Sequence, residues 1–149
     1  MKKNNQCFLG FMVVLLSACT LSQRPAYERN HSLWETQAIQ HYRFNLKIGC
    51  NCPWYDMMPL SIEVKNGEIL LMAASNGEDI TPYMDTFRPH GTIESLFNTV
   101  NSSISIFMYR LEVIYDTTYG FPTSIIIDPY RAISDDAIGY YVTEFEVLP

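Results

Sequence analysis

Two cysteines one residue apart, in Cys50-Asn51-Cys52-Pro53, come nearest in this chain to a chemical constellation. A pair this close can be bridged, can cycle between dithiol and disulfide, or can give two ligands to a metal. In an extended strand residues two apart stand about 6.5 Å apart at Cα, near the upper limit for a bridge, so closure needs a bend that Gly49 and Pro53 can supply. Loop-closure entropy gives such a small ring only about 1.6 kcal/mol, so a bridge here is a weak staple. Strain in the ring would ease its reduction, which leaves a redox role open. A metal needs further ligands, and His31, His41 and His90 stand at no recognisable spacing from the pair. Each is expected to be a surface or helix-end residue. The order of expectation is a structural disulfide, then buried free thiols, then redox or metal chemistry.

The other two cysteines, Cys7 and Cys19, belong to a different argument. Lys2 and Lys3 precede an apolar run from Phe8 to Leu16, the basic and apolar parts of a secretory signal peptide. The run is shorter than the roughly 20 apolar residues that span a bilayer. It ends in Leu16-Ser17-Ala18-Cys19, which resembles the lipobox of bacterial lipoproteins, where the Cys becomes the first mature residue and carries the lipid. The expectation is a signal peptide over 1–18, a lipidated Cys19 with a flexible polar tether over 19–30, and a single domain over 31–149. Cleavage discards Cys7 and uses Cys19 as a thioether, leaving Cys50 and Cys52 as the only thiols in an oxidising compartment. Thr20 follows the Cys where inner-membrane lipoproteins often carry Asp, so the resemblance implies the outer membrane, facing the periplasm, if the organism has one.

Without its first 18 residues the 149-residue chain keeps 131, the size of one ordinary domain. Losing Lys2 and Lys3 takes the formal net charge from −6 to −8. An acidic surface with no Lys/Arg cluster repels phosphate backbones and anionic head groups. Nucleic acid is therefore excluded as an expected partner, and membrane contact is expected through the lipid on Cys19. The patterns Gly-x-Ser-x-Gly and His-Glu-x-x-His and the phosphate-cradling Gly-rich loops are all missing, so the expectation is a non-catalytic domain with no cofactor and no metal.

Two further clusters carry paired readings. Tyr119-Gly120-Phe121-Pro122 is expected to be a tight connection between strands; the alternative exposes Tyr119 and Phe121 as a recognition edge. Asp128, Asp135 and Asp136 gather near one loop without the Asp/Asn-Gly-Glu series of a calcium loop, so they read as solvated charges. Asp116 is expected to bond to local backbone.

The elements that position these residues follow from periodicity. Ser32-Leu33-Trp34-Glu35 matches a capping box and predicts a helix start, with Trp34, Ala38 and Tyr42 on one stripe. Tyr42, Phe44, Leu46 and Ile48 alternate with polar residues and predict a strand, and Leu60 to Lys65 predicts another. Asn66-Gly67 predicts a two-residue hairpin turn, with Ile62 facing Leu71 and Val64 facing Ile69. Between Ala74 and Pro89 the period fails, and this long connection holds Tyr83, Met84 and Phe87 as an expected contact surface. Ile93, Leu96, Phe97 and Val100 predict a second helix capped by Thr92. Strands over 110–116, 123–128 and 140–147 follow, with Tyr141, Phe145 and Val147 on one face. The class is α+β: a mainly antiparallel sheet of about six strands in a helix, three strands, helix, three strands order, with helices on one face. That order admits a diverged repeat, although no residue-level self-similarity supports one.

Taken together, Cys50-Asn51-Cys52-Pro53, Val64-Lys65-Asn66-Gly67, Thr92-Ile93-Glu94-Ser95-Leu96-Phe97, Tyr115-Asp116, Tyr119-Gly120-Phe121-Pro122 and Asp135-Asp136 occur in an order that resembles the bacterial domain-of-unknown-function family 6174. The resemblance runs from about Trp34 to Val147. It implies an exported or lipid-anchored protein and assigns no activity and no catalytic residue. The functional expectation is a lipid-anchored cell-envelope protein whose domain binds an envelope protein or has a structural role. The alternatives are a thiol-redox protein using Cys50 and Cys52, and a small protein-inhibitor module.

Overall fold

The computed structural model describes residues 23–106, 108–133 and 136–149. Six strands form one antiparallel sheet in the order β3-β2-β1-β6-β5-β4. In chain order these are β1 (His41–Gly49), β2 (Leu60–Lys65), β3 (Glu68–Ala74), β4 (Arg110–Tyr115), β5 (Pro122–Asp128) and β6 (Ile138–Val147). Helix α1 (Gln23–Gln37) precedes β1, and the short α2 (Met84–Phe87) and longer α3 (Ile93–Ser105) lie between β3 and β4. The α+β class and the helix, three strands, helix, three strands order stand.

β1 shows why the sheet has one covered face: Tyr42, Phe44, Leu46 and Ile48 are buried while Arg43 and Lys47 are exposed. That parity carries into β2 through Phe44↔Ile62 and Leu46↔Leu60. The covered face meets Ile93, Leu96, Phe97 and Val100 of α3, all fully buried. These sit at i, i+3, i+4 and i+7, one stripe of a helix. Thr92 caps α3 by accepting from the Ser95 N–H while the Ser95 hydroxyl accepts from the Thr92 N–H, both at 3.0 Å.

Strand order explains the long connection over 74–89. β3 and β4 are the two opposite edges, so the chain between them must cross a sheet about 24 Å wide at about 4.8 Å per strand. It crosses over the covered face as consecutive helical turns: a 3-10 turn at Thr81–Tyr83, α2, a 3-10 turn at Arg88–His90, then α3. The same order excludes the diverged repeat. Every neighbouring pair is antiparallel, so β1 and β4 run in opposite directions, yet both halves run last-to-first across the sheet in the same sense. Neither a translation nor a two-fold axis normal to the sheet relates such halves, and a two-fold axis in the sheet plane across the strands would put α1 and α3 on opposite faces, whereas they pack against each other on one.

Several expectations are corrected. The described helix α1 begins at Gln23, so residues 23–30 are helical and not tether, and Ser32 lies inside the helix, not at its cap. The inward stripe of α1 is aromatic and polar, which gave the segment the composition of a linker. Tyr27 stacks on His31 at 5.3 Å, His31 meets Phe97 at 4.6 Å, and Arg24 donates to Asn101 at 2.7 Å. Ala38 takes a left-handed φ of 49° just beyond the helix, and Tyr42 belongs to β1.

At the hairpin, Asn66 and Gly67 adopt φ of 52° and 80°, and Val64 faces Ile69 as expected. A bulge between Glu63 and Val64 then shifts the pairing, so Ile62 faces Met72 and not Leu71. In β6 a break in register, with Glu144 at φ 53°, changes parity. Tyr140 and Val142 face the core before it and Phe145 after it, while Tyr141 and Val147 are exposed.

Candidate functional site

The cysteine pair stands where β1 ends. Gly49 is the last strand residue, the chain bends at Cys50 and Asn51, and a 3-10 turn over Tyr55–Met57 follows, begun by a Tyr55 N–H to Cys52 carbonyl bond of 3.2 Å. The bend shortens the Cα separation of Cys50 and Cys52 to 5.2 Å, inside the range a bridge requires. The two sulfurs are thereby a close pair. Cys50 is half-buried against the core and Cys52 is half-buried at the loop.

Trp54, two residues on, is the residue that sequence reasoning missed. Its ring lies 5.4 Å from Tyr83 and 5.9 Å from Phe87, the latter edge-on, so the cysteine loop is clamped to the crossover by three aromatics. Such pairs add about 0.5–1.5 kcal/mol each beyond burial. A Trp directly after Cys-Pro, at the head of the aromatic and Met-rich run Trp54-Tyr55-Asp56-Met57-Met58, was the available signal. The expected contact surface is corrected accordingly: Phe87 is 0% exposed and Tyr83 and Met84 are half-buried against the core.

The recognition-edge reading of Tyr119 and Phe121 is corrected in the same way. Phe121 is 3% exposed and meets Phe145 in a tilted pair at 4.5 Å, while Tyr119 packs on Phe145 at 5.3 Å. The segment is the tight connection: Asp116 Oδ1 accepts from the N–H of Thr118 at 2.8 Å and of Tyr119 at 2.7 Å, as the local role of Asp116 requires. Gly120 takes φ +85°, and a Cβ there would come within 2.5 Å of the Asn30 carbonyl oxygen on α1. Two reasons therefore demand glycine.

An open groove of about 400 Å³ runs along the outer side of α3, lined in part by Pro89, His90, Ser95, Thr99, Ser103 and Met108. Three of its hydroxyls are turned back on the helix: Ser95 donates to the Thr92 carbonyl, Thr99 to that of Ser95 and Ser103 to that of Thr99, at 2.7–3.0 Å. Those three protons are spent within the helix and are not offered to a ligand. His90 Nε2 lies 3.4 Å from the Tyr140 hydroxyl. Burial lowers the His90 pKa and raises that of Tyr140, so imidazole and phenol are both neutral at pH 7.

The other histidines make side-chain contacts across the fold. His31 Nε2 is 3.1 Å from Glu94 Oε1, and His41 lies 2.8 Å from both Glu63 Oε1 and the Pro149 carbonyl oxygen. Among the described residues no group of three or more His, Cys, Asp or Glu could hold a metal. Cys19 and Asp135 lie outside the described residues; Asp128 and Asp136 are half-buried. No helix among the described residues is long and apolar enough to cross a membrane.

Fold and loop together define a single-sheet α+β domain whose helical layer is one crossover plus an N-terminal helix. A family described as Family of unknown function (DUF6174) matches residues 26–147, and the chain belongs to it. The match starts inside α1, which makes that helix part of the domain. No curated protein and no solved structure matches the chain.

Proposed function

We propose that this chain is a lipid-anchored cell-envelope protein whose domain has a binding or structural role and not a catalytic one. The observation that carries this reading is Leu16-Ser17-Ala18-Cys19 closing an apolar run behind Lys2 and Lys3. The domain supports it in a second way. In the groove beside α3 the hydroxyls of Ser95, Thr99 and Ser103 are committed to backbone carbonyls and offer a ligand no proton. The lipid on Cys19 supplies the membrane contact, at the outer membrane facing the periplasm where the organism has one, and an envelope protein is the partner. A Cys19→Ala variant is expected to leave the membrane fraction; retention there, processed or unprocessed, contradicts the anchor.

The closeness of Cys50 and Cys52 favours a second reading. The pair forms a disulfide in the oxidising envelope, and a half-exposed bridge at a strand end is accessible to exchange. Intact mass after alkylation, with and without reductant, tests it. Two alkyl groups are expected only after reduction, and a pair alkylated without reductant counts against the bridge. A bridge that only strong reductant opens is structural and not redox-active.

A further inference from the structure

Exposed apolar side chains gather at one corner of the molecule. Where α3 and β5 end and β4 begins, Ile106 is 64% exposed, Tyr109 52%, Tyr130 61% and Ile133 53%. The sheet register holds them together: Arg110 pairs with Asp128, so Tyr109 and Tyr130 leave adjacent strands at the same end. The Arg131 guanidinium lies 6.0 Å from the Tyr109 ring centroid, and the Ile133 N–H donates to the Tyr130 carbonyl at 3.4 Å. Large apolar groups clustered at a rim mark a contact surface.

The same corner holds the start of α1. Gln23 Nε2 donates to the Leu111 carbonyl at 3.4 Å, two residues from Tyr109, and Arg24 donates to Asn101 in the last turns of α3. Thr20, Leu21 and Ser22 are all that separate Gln23 from Cys19. Four Cα steps of 3.8 Å keep Gln23 within about 15 Å of Cys19 whatever path they take. From this we infer that Ile106, Tyr109, Tyr130 and Ile133 form the membrane-facing surface of the domain, seated among the head groups of the bilayer that holds the Cys19 lipid.

This inference rests on the anchor proposed above. Tyrosine suits the head-group level because its ring is apolar and its hydroxyl wet, and Arg131 beside it can bury its stem while its charge stays in water. The lipid holds the domain at the bilayer, and such contacts fix which face it presents to it. The opposite end of the sheet, with the Asn66-Gly67 turn and the Asp116–Phe121 connection, then points away from the bilayer.

The test uses the full lipidated chain in vesicles of phosphatidylethanolamine with a minority of phosphatidylglycerol. Tryptophan is placed at the corner (Tyr109→Trp) or at the far end (Lys65→Trp), and the fluorescence of the unsubstituted chain is subtracted. Lipids brominated near the head group should quench the Tyr109→Trp signal severalfold more than the Lys65→Trp signal. Footprinting of the unsubstituted chain by hydroxyl radicals needs no variant. On vesicles Tyr109 and Tyr130 should be protected about fivefold relative to their intrinsic reactivity, as exposure falls from half to a tenth, while Leu71 and Val147 are not. A chain that does not float with vesicles overturns the anchor and this surface together. A chain that floats with equal quenching at both positions overturns the surface alone, and protection of Tyr109 without quenching assigns the corner to another protein copy.

Discussion

At the scale of residues, polar groups inside the fold work as fasteners. The Tyr42 hydroxyl accepts from the N–H of Ile93, the first residue of α3, at 3.1 Å, and burial pushes its pKa up to about 12 even though that hydrogen bond pulls the other way. Tyr42→Phe leaves a buried N–H without its acceptor and is expected to lower unfolding free energy by about 1–3 kcal/mol in urea titration; an unchanged midpoint would show that the bond adds nothing. His90 supplies a pH dependence. Its folded pKa is depressed by burial, so the folded state holds fewer protons than the unfolded one as pH falls below the unfolded value of about 6.5. Stability is full above that pH and is lost below it, down through the folded pKa. His90→Gln, which does not titrate, should lose less stability than the native chain between about pH 7.5 and about pH 5 in urea unfolding. The Thr92 cap and the local role of Asp116 were legible in the sequence because both act within three residues. The partners of His31, His41 and His90 were not, since each meets residues 22 to 108 positions away.

At the scale of elements, strands were read more truly than connections. Alternation in β1 and β2 is set by one buried face and survives in the structure, whereas the bulges beside Glu63 and at Glu144 shift register without leaving a mark in hydrophobic periodicity. The 74–89 stretch lost its period because it is built of successive short turns, and its aromatics face inward as the chain crosses between opposite sheet edges. Phe87 anchors that crossover against Trp54. Phe87→Ala is expected to cost about 3–5 kcal/mol in chemical denaturation, the cost of emptying a core aromatic site. A loss within about 0.5 kcal/mol is what an exposed contact residue would give, and would restore the docking-surface reading of this segment.

At the scale of the whole molecule, strand order decides what composition could not. An open six-stranded sheet with a covered and a solvated face was expected from alternating strands and two helices; the β3-β2-β1-β6-β5-β4 order, which forces the crossover, was not, because pairing of β1 with β6 joins segments about 100 residues apart. Where exposed apolar groups collect also depends on that long-range arrangement, so the corner of Ile106, Tyr109, Tyr130 and Ile133 had no signature in the sequence. Yet the corner lies beside the start of α1, only three residues from Cys19. Placement in the envelope thus rests on a local motif and orientation on a global one, and both depend on whether Cys19 carries a lipid. Intact mass of the protein extracted from membranes tests that most directly. The account predicts a chain that begins at Cys19 and carries acyl mass on that residue; an unmodified chain that retains Met1 would contradict it.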